Sequence, residues 1–178
     1  MGDTATYTVR GEPVSLDDAI RLASEDKFQF QWWALGLVGA RPEEEKKGAD
    51  KGIDGRTYFF DDNTGEVRQF IFSVKGGKLK ATDVRDLRGV VDRENAEIGV
   101  LISVDAPTAP MHAEAASAGF YSQSAWNEHY PRLQIITVDQ LLSGAKVAAP
   151  PGRATVTFKR ATRAKSESSS NAMLEWED

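Results

Sequence analysis

The sequence predicts an α/β domain: a mixed central sheet of about four or five strands with helices on both faces. Three observations carry this. Two apolar, aromatic-rich segments, "GIDGRTYFF" and "EVRQFIFSVK", flank "DDNTGE", whose Asn, Asp and Gly residues suit a turn, so the two segments pair as a hairpin. From about Thr82 to Asn95, Val84, Leu87 and Val91 recur at helical spacing, and the short apolar run "EIGVLISV" follows. Strand, helix and strand in that order form a right-handed βαβ crossover, which makes those two strands parallel.

The remaining elements follow in order. "TYTV" at Thr6–Val9 is a short β-prone run, and residues 1–14 form an N-terminal extension or linker. Ser15 with Asp18 three residues on resembles a capping box, so a helix runs from about Leu16 to Ser24. Asp26 caps a second helix, "KFQFQWWALGLVG". There Phe28, Trp32, Leu35 and Val38 form an apolar stripe that faces the core, widened by Trp33 and Leu37, and Gly39 stops the helix. An aromatic platform for stacking bases is the other use of such a stripe. "ARPEEEKKGADKG" is a charged loop with Glu43, Glu44 and Glu45 in solvent and Asp50 in a turn. "MHAEAASAGF" is a short helix with Pro110 in its first turn, "LQII" a fourth strand, and "TVDQLLSG" a helix capped by Thr137 and closed by Gly144. The compact domain spans residues 15–150. Residues 151–178 add an edge strand, "ATVTF", and a Ser-rich tail with a basic cluster at Lys159, Arg160, Arg163 and Lys165.

The totals narrow the function. The 178 residues suffice for one domain with a core, and 40% hydrophobic and 28% charged residues are ordinary for a globular protein. The chain has no cysteine, which removes disulfides and thiolate metal sites and fits a reducing cytoplasm. No apolar run approaches the roughly 20 residues that span a bilayer. His112 and His129 lack ligand-spaced companions, so a zinc site is not expected, and no G-x-S-x-G elbow or phosphate-binding P-loop occurs. The net charge of −5 argues against a dedicated non-specific DNA binder. The charge is uneven, however. Lys75 to Arg93 contains six basic residues against three acidic ones. Lys78, Lys80, Arg85 and Arg88 are therefore candidates for phosphate contacts, with a solvated helix face as the alternative.

The chemistry concentrates between Lys46 and Gly77. Asp54 precedes one strand of the hairpin and Lys75 ends the next, and adjacent strands lie roughly 5 Å apart, so carboxylate and ammonium meet. Such a pair followed by glycines suits metal-assisted attack on a phosphodiester, the carboxylate holding a hard cation and the lysine stabilising charge. Read alone, it fits a surface salt bridge at a sheet edge better, since Asp and Lys are common.

The motifs "GADKGIDG" and "FSVKGG" resemble the core of the PD-(D/E)xK nuclease superfamily, and within it the Mrr-like restriction endonuclease domains. Asp54 matches the motif aspartate and Lys75 the motif lysine. The resemblance covers roughly Leu16 to Leu142. Through "VRDLRGVVDRENAEIGVLISVDAPTAPMHAEAASAGFY" and "YPRLQIITVDQLL" it is similar to a branch fused to DNA methyltransferases. It implies a restriction-endonuclease-like fold and DNA hydrolysis dependent on Mg²⁺, with Mn²⁺ as a substitute. By the same resemblance Asp54 and the main-chain carbonyl of Val74 bind the metal, and Lys75 positions or helps deprotonate the water. Gln31 adds an amide oxygen or orients water, and Ser73 acts through water or a hydrogen bond. The implied partners are DNA, a DNA methyltransferase domain or subunit, and a second copy of the chain, since a single-metal site cuts one strand at a time. Two positions depart from the family pattern: Ser73 stands where Glu or Gln is usual, and Gln31 where Glu often stands. The alternative is a degenerate nuclease-fold module that binds DNA or a partner without cleaving.

Overall fold

Helix starts fall where the short polar side chains place them. Helix α1 (Leu16–Glu25) begins at Ser15, whose Oγ accepts from the Asp18 N–H at 3.2 Å. Helix α2 (Lys27–Leu37) begins at Asp26, whose carboxylate accepts from the N–H groups of Phe28 and Gln29, both at 3.0 Å. Each cap satisfies donors that a helix start leaves unpaired. Gly39, at φ +66°, ends α2 in the left-handed region. These features come from a computed structural model that describes residues 12–43, 52–60, 65–123, 128–150 and 153–154. The expected strand at Thr6–Val9, Glu44, Glu45, Asp50, most of the "DDNTGE" turn, and the tail with its basic cluster lie outside the described residues.

The chain continues through β1 (Arg41–Pro42), β2 (Gly55–Phe60), β3 (Val67–Lys75), α3 (Ala81–Arg93), β4 (Ile98–Ser103) and α4 (Ala109–Ser117). It then forms β5 (Phe120–Gln123), β6 (Glu128–Pro131), β7 (Leu133–Thr137), α5 (Val138–Leu142) and β8 (Arg153–Ala154). The main sheet has the order β1-β2-β3-β4-β7, with β8 also pairing β2. Strands β2 and β3 are antiparallel, Gly55 opposite Phe72, while β3, β4 and β7 run parallel. The mixed sheet and its crossover are thus those the sequence predicts.

The two faces of β3 and β4 feed separate cores. Phe70, Phe72, Val74, Ile98, Val100 and Ile102 pack with Phe30, Ala34 and Leu35 of α2, and with Ala19 of α1. Ile71 and Leu101 pack with Val84, Leu87 and Val91 of α3, and with Met111 and Ala115 of α4. Strand alternation explains the division. Both faces are covered, so β4 is buried along its whole length. No helix among the described residues is long and apolar enough to cross a membrane.

Three expectations need correction. The core face of α2 is Phe30, Ala34 and Leu35 at 0% exposure, while Phe28 and Trp32 stand out at 53% and 54%. Apolar residues occur on nearly every side of this helix, so helical spacing alone does not fix which side turns inward. Helix α4 ends at Ser117 rather than at Phe120, because Gly119 takes φ +77° and Phe120 starts β5. Finally, β5 and β6 form a separate antiparallel pair, Tyr121 opposite Tyr130, that "GFYSQS" and "NEHYP" do not announce. His129 lies on this pair, its Nδ1 2.8 Å from Ser122 Oγ.

Candidate functional site

Asp54 sits one residue ahead of β2 and extends its ladder, its N–H donating to the Phe72 carbonyl at 2.9 Å. Its carboxylate spans three elements. Oδ2 accepts from the Val74 N–H of β3 at 2.6 Å, and Oδ1 accepts from Gln31 Nε2 of α2 at 2.8 Å. Both are charge-assisted bonds, stronger than those between neutral groups. The carboxylate therefore pins α2 to the strand ends at the C-terminal side of the parallel sheet.

Lys75 lies at the end of β3, beside Ser103 of β4. Its Nζ is 3.4 Å from Asp83 Oδ1. Asp83 is in the first turn of α3, and its other oxygen accepts from the Lys80 N–H at 2.8 Å. The lysine thus reaches the start of the crossover helix. Strand alternation puts Ser73, 6% exposed, on the face of Lys75, and Val74 on the face of α2. Val74 directs its N–H at Asp54. A strand residue presents its N–H and carbonyl to the same neighbour, so the Val74 carbonyl also faces that edge.

These groups line one pocket of about 280 Å³. Gln31, Asp54, Ser73, Val74 and Lys75 all contribute, as do Lys78 and Lys80. Arg85 and Arg88 do not line it. Arg85 is exposed on α3, and Arg88 turns to α4, 3.1 Å from Ser117 Oγ and 3.6 Å from Glu114. Two lining residues, Lys27 and Asp83, are not among those the motifs single out. Lys27 could have been found as the i−4 neighbour of Gln31 on one helix stripe, and Asp83 as the third residue after the cap of α3. A larger hollow of about 390 Å³ lies at the other end of α2, against α5 and the segment after it. Among the described residues its lining is mostly apolar, with Lys146 as the single ionisable one.

The glycines around the pocket serve packing more than access. A Cβ at Gly55 would meet Leu35 Cδ2 at 2.6 Å and the Arg41 carbonyl at 2.8 Å. One at Gly76 would meet Ala23 Cβ and Phe30 Cδ1, each at 2.9 Å. Helices α1 and α2 lie close to the strand ends only because these positions lack a side chain. Gly77 has open space around it.

Among the described residues the pocket offers a resident Mg²⁺ or Mn²⁺ two carboxylates, Asp54 and Asp83, both already held by protein groups. Such ions take an octahedral shell of oxygens, usually with one or two carboxylates. Each carboxylate oxygen of the described lining residues receives a protein group: Gln31 and Val74 on Asp54, Lys75 and Lys80 on Asp83. Ser73 contributes a hydroxyl, a weak ligand for a hard cation, and among the described residues no cluster of three His, Cys, Asp or Glu is suited to a metal.

A six-strand mixed sheet with helices on both faces, and an Asp–Lys pocket where the antiparallel and parallel pairs meet, define a restriction-endonuclease-like domain. The family model described as "NACHT-associated inactive Restriction Endonuclease 1" matches residues 27–143, and the chain belongs to that family. The matched span runs from α2 past α5 and so includes Gln31, Asp54 and Lys75. Among solved structures the chain is similar to one titled "MspJI Restriction Endonuclease in Complex with 27-mer Oligonucleotide". That match has 15% identity and a TM-score of 0.46, over 78% of this chain and 34% of the other. The chain therefore spans about a third of that protein's length. No curated protein matches the sequence.

Proposed function

We propose that this chain is a restriction-endonuclease-like module that binds the phosphate backbone of DNA without hydrolysing it. One observation carries the proposal. Among the described residues, the pocket's carboxylate oxygens are engaged by the protein itself, while four lysines, Lys27, Lys75, Lys78 and Lys80, line it against two aspartates. A locally positive concavity attracts phosphate even in a chain whose net charge is −5. The family's description as inactive agrees with this.

The competing proposal is the metal-dependent nuclease. It is favoured by the meeting of Asp54, the Val74 carbonyl edge and Lys75 in one place. There Asp54 and the Val74 carbonyl would hold the cation, which would polarise the phosphoryl oxygen. The engaged carboxylates and Ser73 weigh against it.

Partners follow from the same reading. A module that does not cut needs no second active site, so binding does not require a homodimer. Target choice would reside in an associated domain. The family's description points to a NACHT-associated one, and the sequence resemblance to a DNA methyltransferase. The lack of cysteine suits a reducing cytoplasm.

The test is anisotropy of labelled DNA titrated with the chain at several salt concentrations, beside incubation with plasmid in Mg²⁺, Mn²⁺ or EDTA. The proposal expects binding that weakens linearly on a log–log salt plot and intact plasmid. Cleavage that needs metal and vanishes in Asp54→Ala and Lys75→Ala would establish the nuclease instead.

A further inference from the structure

The proposed function leaves two exposed aromatic side chains unexplained. Phe28 is 53% exposed and Trp32 54% exposed, large apolar groups held in solvent although three-turn α2 has a fully buried face available. They lie one turn apart and so share one stripe. Phe28 is the i−3 neighbour of Gln31, which lines the pocket, so the stripe runs beside the pocket-facing side of α2. At 100° per residue, the order around the helix from the core outward is Gln31, Leu35, Phe28, Trp32. Gln31 reaches Asp54 inside the pocket, and Leu35 lies against Gly55 at the start of β2. Lys27, immediately before Phe28, lines the pocket as well.

A lysine-lined phosphate pocket with two exposed rings on the stripe beside it matches one ligand chemistry, that of unpaired nucleotides. Phosphates sit in the positive concavity while bases stack on the neighbouring rings. A paired duplex offers its phosphates but keeps its base faces stacked on one another, so it has little to give the rings. We infer that the structure presents a single-stranded nucleic-acid platform, with Trp32 and Phe28 as stacking residues and Lys27, Lys78 and Lys80 as phosphate contacts. This deepens the phosphate-binding reading and rests on it.

The experiment uses the whole chain and two fluorescent probes, an oligothymidylate of about 12 nucleotides, within the site sizes of stacking folds, and a blunt duplex of the same length. The inference expects tighter binding of the single strand. Trp32→Ala should weaken single-strand binding by roughly 5- to 150-fold, the loss of about one stacked base, without changing the salt slope. Phe28→Ala should act in the same direction, and Trp32→Phe should restore most of the affinity because it keeps a ring. Lys78→Ala or Lys80→Ala should instead reduce the salt slope by about 0.7 for each phosphate no longer neutralised. Trp32 is exposed, so its replacement leaves the fold intact, and an unchanged melting temperature checks this. Salt-dependent binding of both probes that ignores Trp32→Ala and Phe28→Ala overturns the platform but leaves the phosphate-binding function standing. No binding of either probe overturns both.

Discussion

Asp54 acts as a structural clasp in this account, and replacing it tests that role quantitatively. Removing the carboxylate in Asp54→Ala deletes the acceptor for Gln31 Nε2 at 2.8 Å and for the Val74 N–H at 2.6 Å. Val74 is 3% exposed, so its N–H loses a charged partner at a nearly buried position. A hydrogen bond to a charged group contributes about 1.5–3 kcal/mol, and an orphaned buried donor costs a similar amount. The pocket admits water, which replaces much of this, so the expected net loss is about 2 kcal/mol, below the roughly 3–6 kcal/mol of the two bonds combined. For a chain of this size that lowers the melting temperature by roughly 4–8 °C. Asp54→Asn retains one acceptor oxygen and should fall between. Gln31→Ala removes one bond and should cost about 1 kcal/mol, with coupling of similar size in a double-mutant cycle with Asp54→Ala. The assay is thermal and urea unfolding followed by circular dichroism in metal-free buffer. A carboxylate kept for ligand or metal binding behaves oppositely, because functional groups are commonly held at a cost to stability. Asp54→Ala melting at or above the wild-type temperature would refute the clasp.

Other predictions concern the surroundings of the pocket. Gly76→Ala forces a methyl to 2.9 Å from Ala23 and Phe30 and should lower stability by roughly 1–3 kcal/mol, read from the urea midpoint. Gly77→Ala, with open space and an ordinary φ, should be neutral or stabilising by up to about 1 kcal/mol. At the opposite end of the sheet, hydrogen bonds from Arg56, at 2.9 Å, and then from Arg93, at 3.2 Å, hold the Glu94 carboxyl below its usual value of 4.5. A depressed carboxyl contributes stability above the unfolded value and loses it as pH falls through the folded one. Unfolding free energies measured on either side of pH 4.5 should show a contribution of about 1 kcal/mol that fades below that point and is absent in Glu94→Gln.

What the sequence revealed depended on whether local chemistry or tertiary geometry decided the outcome. Ser15, Asp26 and Thr137 act as caps through contacts two or three residues away, so the sequence discloses them. The hairpin and crossover follow from turn residues and period, and they bring Asp54 and Lys75 into one pocket. The engagement of Lys75 by Asp83 and of Asp54 by Gln31 was not legible, because each depends on how a helix end docks on the sheet. The exposure of Phe28 and Trp32 was hidden for a related reason. A helix apolar on nearly all sides carries no signal for its inward face, and its rotation follows from tertiary contacts such as the close approach at Gly55 and Gly76 and the Gln31–Asp54 bond. Strands β5 and β6 escaped because their sequences alternate weakly.

The central claim is that the pocket binds phosphate and does not cut it. The most direct measurement incubates supercoiled plasmid with the chain in Mg²⁺ or Mn²⁺ and, from the same sample, records binding of a labelled oligonucleotide. The account predicts a bound oligonucleotide and a plasmid that stays supercoiled. Nicked or linear plasmid from the wild-type chain, absent with EDTA and absent in Asp54→Ala and Lys75→Ala, would contradict it.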